Sequence, residues 1–267
     1  MEELLDQFVG RSAVKALVAA VLLIAWATGN GWAADPDALW KVVHDRCVPG
    51  EQERGDPRPC ALVNLAGGIK QGYVALKDLN GVAQFLLVPT ERLTGIEDAA
   101  LLQPEVPNLF AAAWDARELV AARLGRRLPR DAYGLVINSV QGRTQEQLHI
   151  HVDCMRADVR DQLRAHTGQV GDAWAPFAVP LLGRSYAALR ISGEQLGSND
   201  PFKLLASGVA GASGDMGLHT LIVTRTVADG QPGFVLLDRR VTKEEGDRGN
   251  GTELLDRACG VATEKAP

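Results

Sequence analysis

The chain has no surplus of one charge. Its 28 Lys and Arg stand against 33 Asp and Glu, a formal net charge of −5, which gives no reason to expect nucleic acid as a partner. It has no low-complexity tract, and its 46% hydrophobic and 23% charged residues are those of an ordinary globular protein. It has no Cys-x-x-Cys spacing, so its four cysteines do not read as a zinc site. No contiguous apolar surface that would specify lipid docking can be read from it. At 267 residues it is long enough for one large domain or two small ones with a sizeable core.

What is present begins with residues 1–34. Arg11 and Lys15 precede an apolar run from Ala16 to Thr28, and no charge follows until Asp35. That order reads as an export signal or a single N-terminal anchor. The run is slightly shorter than the roughly 20 residues of a spanning helix, and Gly31-Trp32-Ala33 is a poor small-x-small cleavage site. With the basic residues on the cytoplasmic side, the rest of the chain is expected outside the cytoplasmic membrane. An even number of cysteines (Cys47, Cys60, Cys154 and Cys259) agrees with an oxidising compartment. Four cysteines allow three pairings. The preferred one joins Cys47 to Cys60 across a polar, Pro-rich loop, and Cys154 to Cys259.

The stretch that organises the chain is Gly142 to Cys154. From Gln147 onward polar and apolar residues alternate, the signature of a half-buried strand. Leu148, Ile150, Val152 and Cys154 are expected in a core. Gln147, His149, His151 and Asp153 share the other face, where neighbours about 6–7 Å apart can address one small substrate group. Upstream, Val136-Ile137-Asn138 reads as a strand end and Gln141 to Thr144 as a polar turn. A second stretch, Gly72 to Arg92, reads as two strands joined through Asn80-Gly81.

The turn Gly142-x-Thr144 followed by Gln147-x-His149-x-His151 resembles the active-site strand of the histidine-triad (HIT) superfamily, with Gln147 in the first triad position. Together with the Gly72–Arg92 hairpin, Pro107-Asn108, Trp114-Asp-Ala-Arg117, Asn138-Ser139 and the four cysteines, the chain resembles the CDP-diacylglycerol pyrophosphatase branch over roughly residues 38–260. The resemblance implies an α+β fold: an antiparallel sheet with a helix across it, in a catalytic half (35–160) and a degenerate second HIT-like half (161–267). It implies hydrolysis of CDP-diacylglycerol to CMP and phosphatidate, with His149 as nucleophile and a cytidylyl-histidine intermediate. His151, Thr144 and Gln147 would assist, and Asn138, Gly142, Arg143, Lys77 and Asp78 would face the substrate. No metal or cofactor is called for. The chain would sit at the bacterial inner membrane with its domain in the periplasm, or be exported and cleaved. Because HIT proteins commonly dimerise, an internal repeat would leave a monomer.

Two other readings of the same residues stand beside this one. His149-x-His151-x-Asp153 also resembles the start of the metal motif of metallo-β-lactamase-type hydrolases. Alternatively, the fold has become a non-catalytic nucleotide-binding module, with Gln147 as the mark of decay.

Helices are expected over Asp37–Asp45, Asn108–Leu124, Asp158–Gly168 and Asp200–Val209, with a short one near Ala99–Leu102. Further strands are expected over Phe177–Leu182 and Tyr186–Ile191, and a second hairpin at Leu221–Thr226 and Gly233–Asp238. Trp114 reads as core. His44 reads as a surface or partly packed residue, His166 as exposed, and His219 has no motif around it.

Overall fold

A computed structural model describes residues 35–228, 230–241 and 248–264. The expected signal or anchor at 1–34 lies outside the described residues. Among those described, no helix is long and apolar enough to cross a membrane.

Nine strands build one antiparallel sheet: β1 (Leu62–Asn64), β2 (Tyr73–Lys77), β3 (Phe85–Pro89), β4 (Tyr133–Ile137), β5 (Ile150–Cys154), β6 (Ala175–Pro176), β7 (Ala187–Ser192), β8 (His219–Ala228) and β9 (Gln231–Arg240). Their spatial order is β1-β2-β3-β5-β4-β8-β9-β7-β6. The first half pairs β2 with β3, β3 with β5 and β5 with β4. The second half pairs β6 with β7, β7 with β9 and β9 with β8. The halves meet where β4 lies antiparallel to β8, Val136 opposite Ile222.

Among the described residues, four helices of eight or more residues pack on this sheet. α1 runs from Ala38 to Arg54, with a π-helical turn at Val43–Cys47 between two α-helical pieces. The π turn lies just before Pro49, which has no N–H to continue the α-helical ladder. α2 (Leu109–Leu124) is capped by the Asn108 side chain, which accepts from Ala111 N at 3.1 Å, and is stopped at Gly125 by a left-handed φ of 68°. α3 spans Ala157–His166 and α4 Pro201–Gly208.

One face of the sheet packs on α2 and α4. Leu87, Leu135, Ile150 and Val152 cluster with Phe110 and Trp114 there, and beyond the β4–β8 junction Val223 and Leu236 cluster with Phe202. The opposite face carries two separate apolar clusters. In the first half Val74, Leu86 and Val88 pack on Leu39, Val43 and Val48 of α1. In the second half Val136, Ile222 and Leu237 pack on Val159, Leu163, Phe177 and Tyr186. The polar row of β5 lies between these two clusters, since His151 pairs with Leu86 on one side and Val136 on the other.

Several expectations change. α1 continues through the stretch expected as a polar loop after Cys47, because the buried Val48 anchors that turn on the sheet. Phe177–Leu182 forms no strand: its apolar residues pack as an irregular cover under α3. The short β1 was not foreseen. The hairpin connection is longer than Asn80-Gly81, since β2 stops at Lys77 and β3 starts at Phe85. Both preferred disulfides, Cys47–Cys60 and Cys154–Cys259, are formed.

Candidate active site

β5 was expected to expose its polar face, yet Gln147 and Asp153 are fully buried and His149 is 8% exposed. Strand geometry begins only at Ile150. The approach to it, residues 138–149, is fixed from outside by backbone bonds. Glu146 N donates to Pro36 O at 2.7 Å, Leu148 N to Leu93 O at 2.7 Å and Val140 N to Gly217 O at 2.9 Å.

The two histidines are held in complementary states. His149 Nδ1 lies 2.7 Å from the carbonyl of Gln147. A carbonyl only accepts, so the proton of the neutral ring sits on Nδ1 and the lone pair is left on Nε2. Burial pulls this imidazole below its usual range, against the opposing pull of that carbonyl. His151 is the reverse: Gln84 Nε2 donates to its Nδ1 at 2.9 Å, which leaves the N–H on Nε2. The same amide nitrogen also donates to the Asp78 carboxylate, forming an Asp78–Gln84–His151 chain. Burial, then His149 and Arg257, hold His151 well below the ordinary imidazole value. The two rings are edge-on, 5.0 Å apart. Both are therefore neutral at neutral pH.

The neighbouring residues divide into those at the histidines and those that hold the backbone. Arg143, Asn138 and His149 line one narrow slot together with Gly95, Ile137 and Leu148. Arg143 is not an exposed turn residue. Its side chain is 6% exposed and bridges Glu97 at 2.6 Å and Glu146 at 2.8 Å, while its Nε has no hydrogen-bond partner. Asn138 accepts from Gly251 N at 2.8 Å and so ties the C-terminal segment to the site. Gly142 is required by close approach, because a Cβ there would lie 2.4 Å from Gly249 O. Thr144 is exposed on the turn. Gln147 donates to Pro89 O and Glu91 O at 3.2 and 3.0 Å, clamping the turn to the end of β3. Lys77 points into the hairpin loop and donates to the carbonyls of Asp78, Asn80 and Gly81.

Gln84, Glu97, Arg257 and the full burial of Asp153 were not foreseen. Gln84 precedes the apolar run of β3, and a lone amide at a strand start carries little sequence signal. Arg257 lies two residues before Cys259, so the disulfide was its only pointer. Asp153 has both carboxylate oxygens buried without partners, and burial pushes its pKa up to about 7.

The metal reading meets a geometric obstacle. Among the described residues, the potential ligand atoms that converge belong to Asp153, Cys154 and Cys259, and the two cysteines are consumed in a disulfide. His149, His151 and Asp153 do not form such a group. Two larger cavities, about 570 and 700 Å³, lie in other parts of the molecule and include neither histidine. Chemistry rather than cavity size therefore marks the site.

The family model described as CDP-diacylglycerol pyrophosphatase matches residues 34–263. This chain belongs to that family. A CDP-diacylglycerol pyrophosphatase from Yersinia pestis is 40% identical over 228 residues, covering 85% of this chain and 86% of that protein. The family is one of hydrolases, and the stretch it covers contains the whole His149–His151 site.

Proposed function

We propose that this chain hydrolyses the pyrophosphate bond of CDP-diacylglycerol through a covalent intermediate on His149. The observation that carries this reading is the hydrogen bond from His149 Nδ1 to Gln147 O, which leaves a neutral, lone-pair-bearing Nε2. A neutral nucleophile avoids the repulsion that an anion meets at a pyrophosphate. Nε2 attacks the phosphorus next to the cytidine ribose, and the bridging P–O bond breaks with its electron pair leaving on phosphatidate. The cytidylyl-imidazolium keeps its Nδ1–H on the Gln147 carbonyl, which offsets the new positive charge. Water then attacks the same phosphorus, the N–P bond breaks, CMP departs and the water proton passes to solvent.

His151 serves as a hydrogen-bond donor from Nε2–H. It does not transfer that proton, since a neutral imidazole would become an anion. None is needed, because a phosphate monoester with a second pKa of about 6 leaves readily as a dianion. The unpartnered Arg143 Nε and the Asn138 side chain flank the attacked phosphate, with Gly142 and Thr144 on the turn beside it. Gln147 acts as a backbone clamp where HIT proteins have the first triad histidine.

We infer further that residues 161–267 are a degenerate second HIT-like half. The pairing β2-β3-β5-β4 is matched by β6-β7-β9-β8, and a helix follows the second strand in each half. Such a chain carries its own partner and would act as a monomer. Two disulfides support the periplasmic side of the inner membrane, with residues 1–34 as signal or anchor.

The test is CMP release from CDP-diacylglycerol in detergent micelles with excess EDTA, for the unsubstituted protein and His149→Ala. EDTA-resistant release lost on substitution supports the covalent route. Release that requires added zinc overturns it, and nucleotide binding without release favours a binding module.

A further inference from the structure

The loop joining β2 to β3 is built rigidly and yet turns its apolar side chains outward. Lys77 Nζ donates to three of its carbonyls, those of Asp78, Asn80 and Gly81. Asp78 Oδ1 accepts from Asn80 N at 2.9 Å, and Gly81 takes a left-handed φ of 72°. In this fixed frame Leu79 is 101% exposed and Val82 51%. A loop pinned at so many points cannot fold these side chains back onto the core. Exposed apolar residues at a rigid tip need a different explanation from scattered surface ones.

Two exposed arginines flank the tip. Val82 N donates to Arg257 O at 2.8 Å, and Arg123 Nε reaches Val82 O at 3.5 Å. Of the nearby carboxylates, Asp78 is largely buried and engaged by Gln84 and Asn80, and Asp256 is half-buried and accepts from Ala258 N and Gly260 N. The tip therefore offers apolar and cationic groups together, the complement of an anionic lipid surface.

The site also has a direction. Arg143 and Asn138 stand at the His149 end, whereas Gln84 and Asp78 connect His151 to the loop. A substrate bound with its nucleotide toward Arg143 would point its leaving phosphate past His151 toward the tip. We propose that the Leu79–Val82 tip is a docking surface for an anionic phospholipid bilayer, bringing the acyl half of a lipid substrate beside His151. The orientation of substrate rests on the activity proposed above; the docking surface itself does not.

Two measurements on the full chain separate those dependences. In the first, Leu79→Trp is compared with Val227→Trp, an exposed position on β8, each as a difference spectrum against the unsubstituted protein. Vesicles of phosphatidylcholine and phosphatidylglycerol in equal parts should blue-shift the Leu79→Trp difference emission, and brominated acyl chains should quench it. The Val227→Trp signal should stay unmoved. No change at position 79, or equal change at both positions, overturns the docking surface whatever the enzyme's activity.

The second measurement is the ratio of CMP release from vesicle-borne long-chain substrate to release from dispersed short-chain substrate. Leu79→Asp with Val82→Asp should lower that ratio about tenfold. A parallel loss on both substrates would mean the tip only supports the fold. Absence of release from either substrate in the unsubstituted protein removes the proposed activity, and the fluorescence result still decides docking.

Discussion

Both halves of the sheet bury histidine, and they shift its pKa in opposite directions. In the first half His149 is 8% exposed and its Nδ1 meets a neutral carbonyl. In the second half His219 is 1% exposed, with Nδ1 2.8 Å from Asp238 and Nε2 3.1 Å from Asp215. Burial alone would depress both. It does so for His149, but at His219 the two carboxylates outweigh it and the pKa rises. Partner chemistry, rather than depth, decides in which direction each imidazole's pKa moves. His219 is thus far from the unremarkable residue its sequence context suggested. It ties the start of β8 to β9, and through Asp215 to Arg240, which donates from Nε at 2.7 Å.

The strongest way to break this contrast is to remove the proposed nucleophile. His149→Ala should lower CMP release by about 10⁴-fold or more while leaving the urea midpoint near that of the unsubstituted protein. His219→Asn should do the reverse. It removes the imidazole's charge from the buried Asp238, whereas Asp215 keeps Arg240, so unfolding in urea at pH 6 should show a loss of about 3 kcal/mol, with turnover per folded molecule retained. The raised His219 value means its contribution is complete below pH 6.5 and fades as pH rises through the raised value. The variant should lack that alkaline decline.

Asp153 sharpens the comparison, as a buried group with no partner of either kind. Its pKa moves from 3.8 to about 7, so the folded state holds a proton that the unfolded state releases between those values. Stability should therefore fall as pH rises through that window, by about 4 kcal/mol at most. Asp153→Asn should gain stability at pH 8 relative to the unsubstituted protein and lose that advantage near pH 4, as thermal melts at the two pH values would record.

Smaller effects concern the fixed ring states. Gln84→Leu takes the donor from His151 Nδ1 and should reduce kcat about tenfold with little change in KM. The pH profile of kcat/KM should keep its acid limb below 6.5, because His149 protonates only below its ordinary range. A limb at or above 6.5 would place a charged histidine at the centre of the chemistry.

Much of the first half was legible in the residues. The alternation after Gln147 located the strand, the Gly72–Arg92 pattern its hairpin, and the apolar period of 109–124 its covering helix. Less was legible where packing overrode local pattern. Alternation predicted a half-exposed strand, but α1 and the cluster around Val136 cover both flanks of the polar row and bury it. The apolar residues of 177–182 suggested a strand, yet they serve as an irregular cover. The sequence pointed to a membrane only through residues 1–34 and the family resemblance, not through Leu79 and Val82, which differ from core residues only in the direction the turn gives them.

By itself the sequence determined which residue types alternate on one strand and where the chain turns, since these follow from side-chain period and local backbone preference. It also supplied the four cysteines from which the two disulfides are built. Only the tertiary structure decided which nitrogen of each histidine carries a proton, which acid lies beside which base, and which apolar residues remain outside. Those outcomes depend on partners brought from distant parts of the chain, such as Gln84 to His151 and Asp238 to His219, and long-range contacts leave no local period to read.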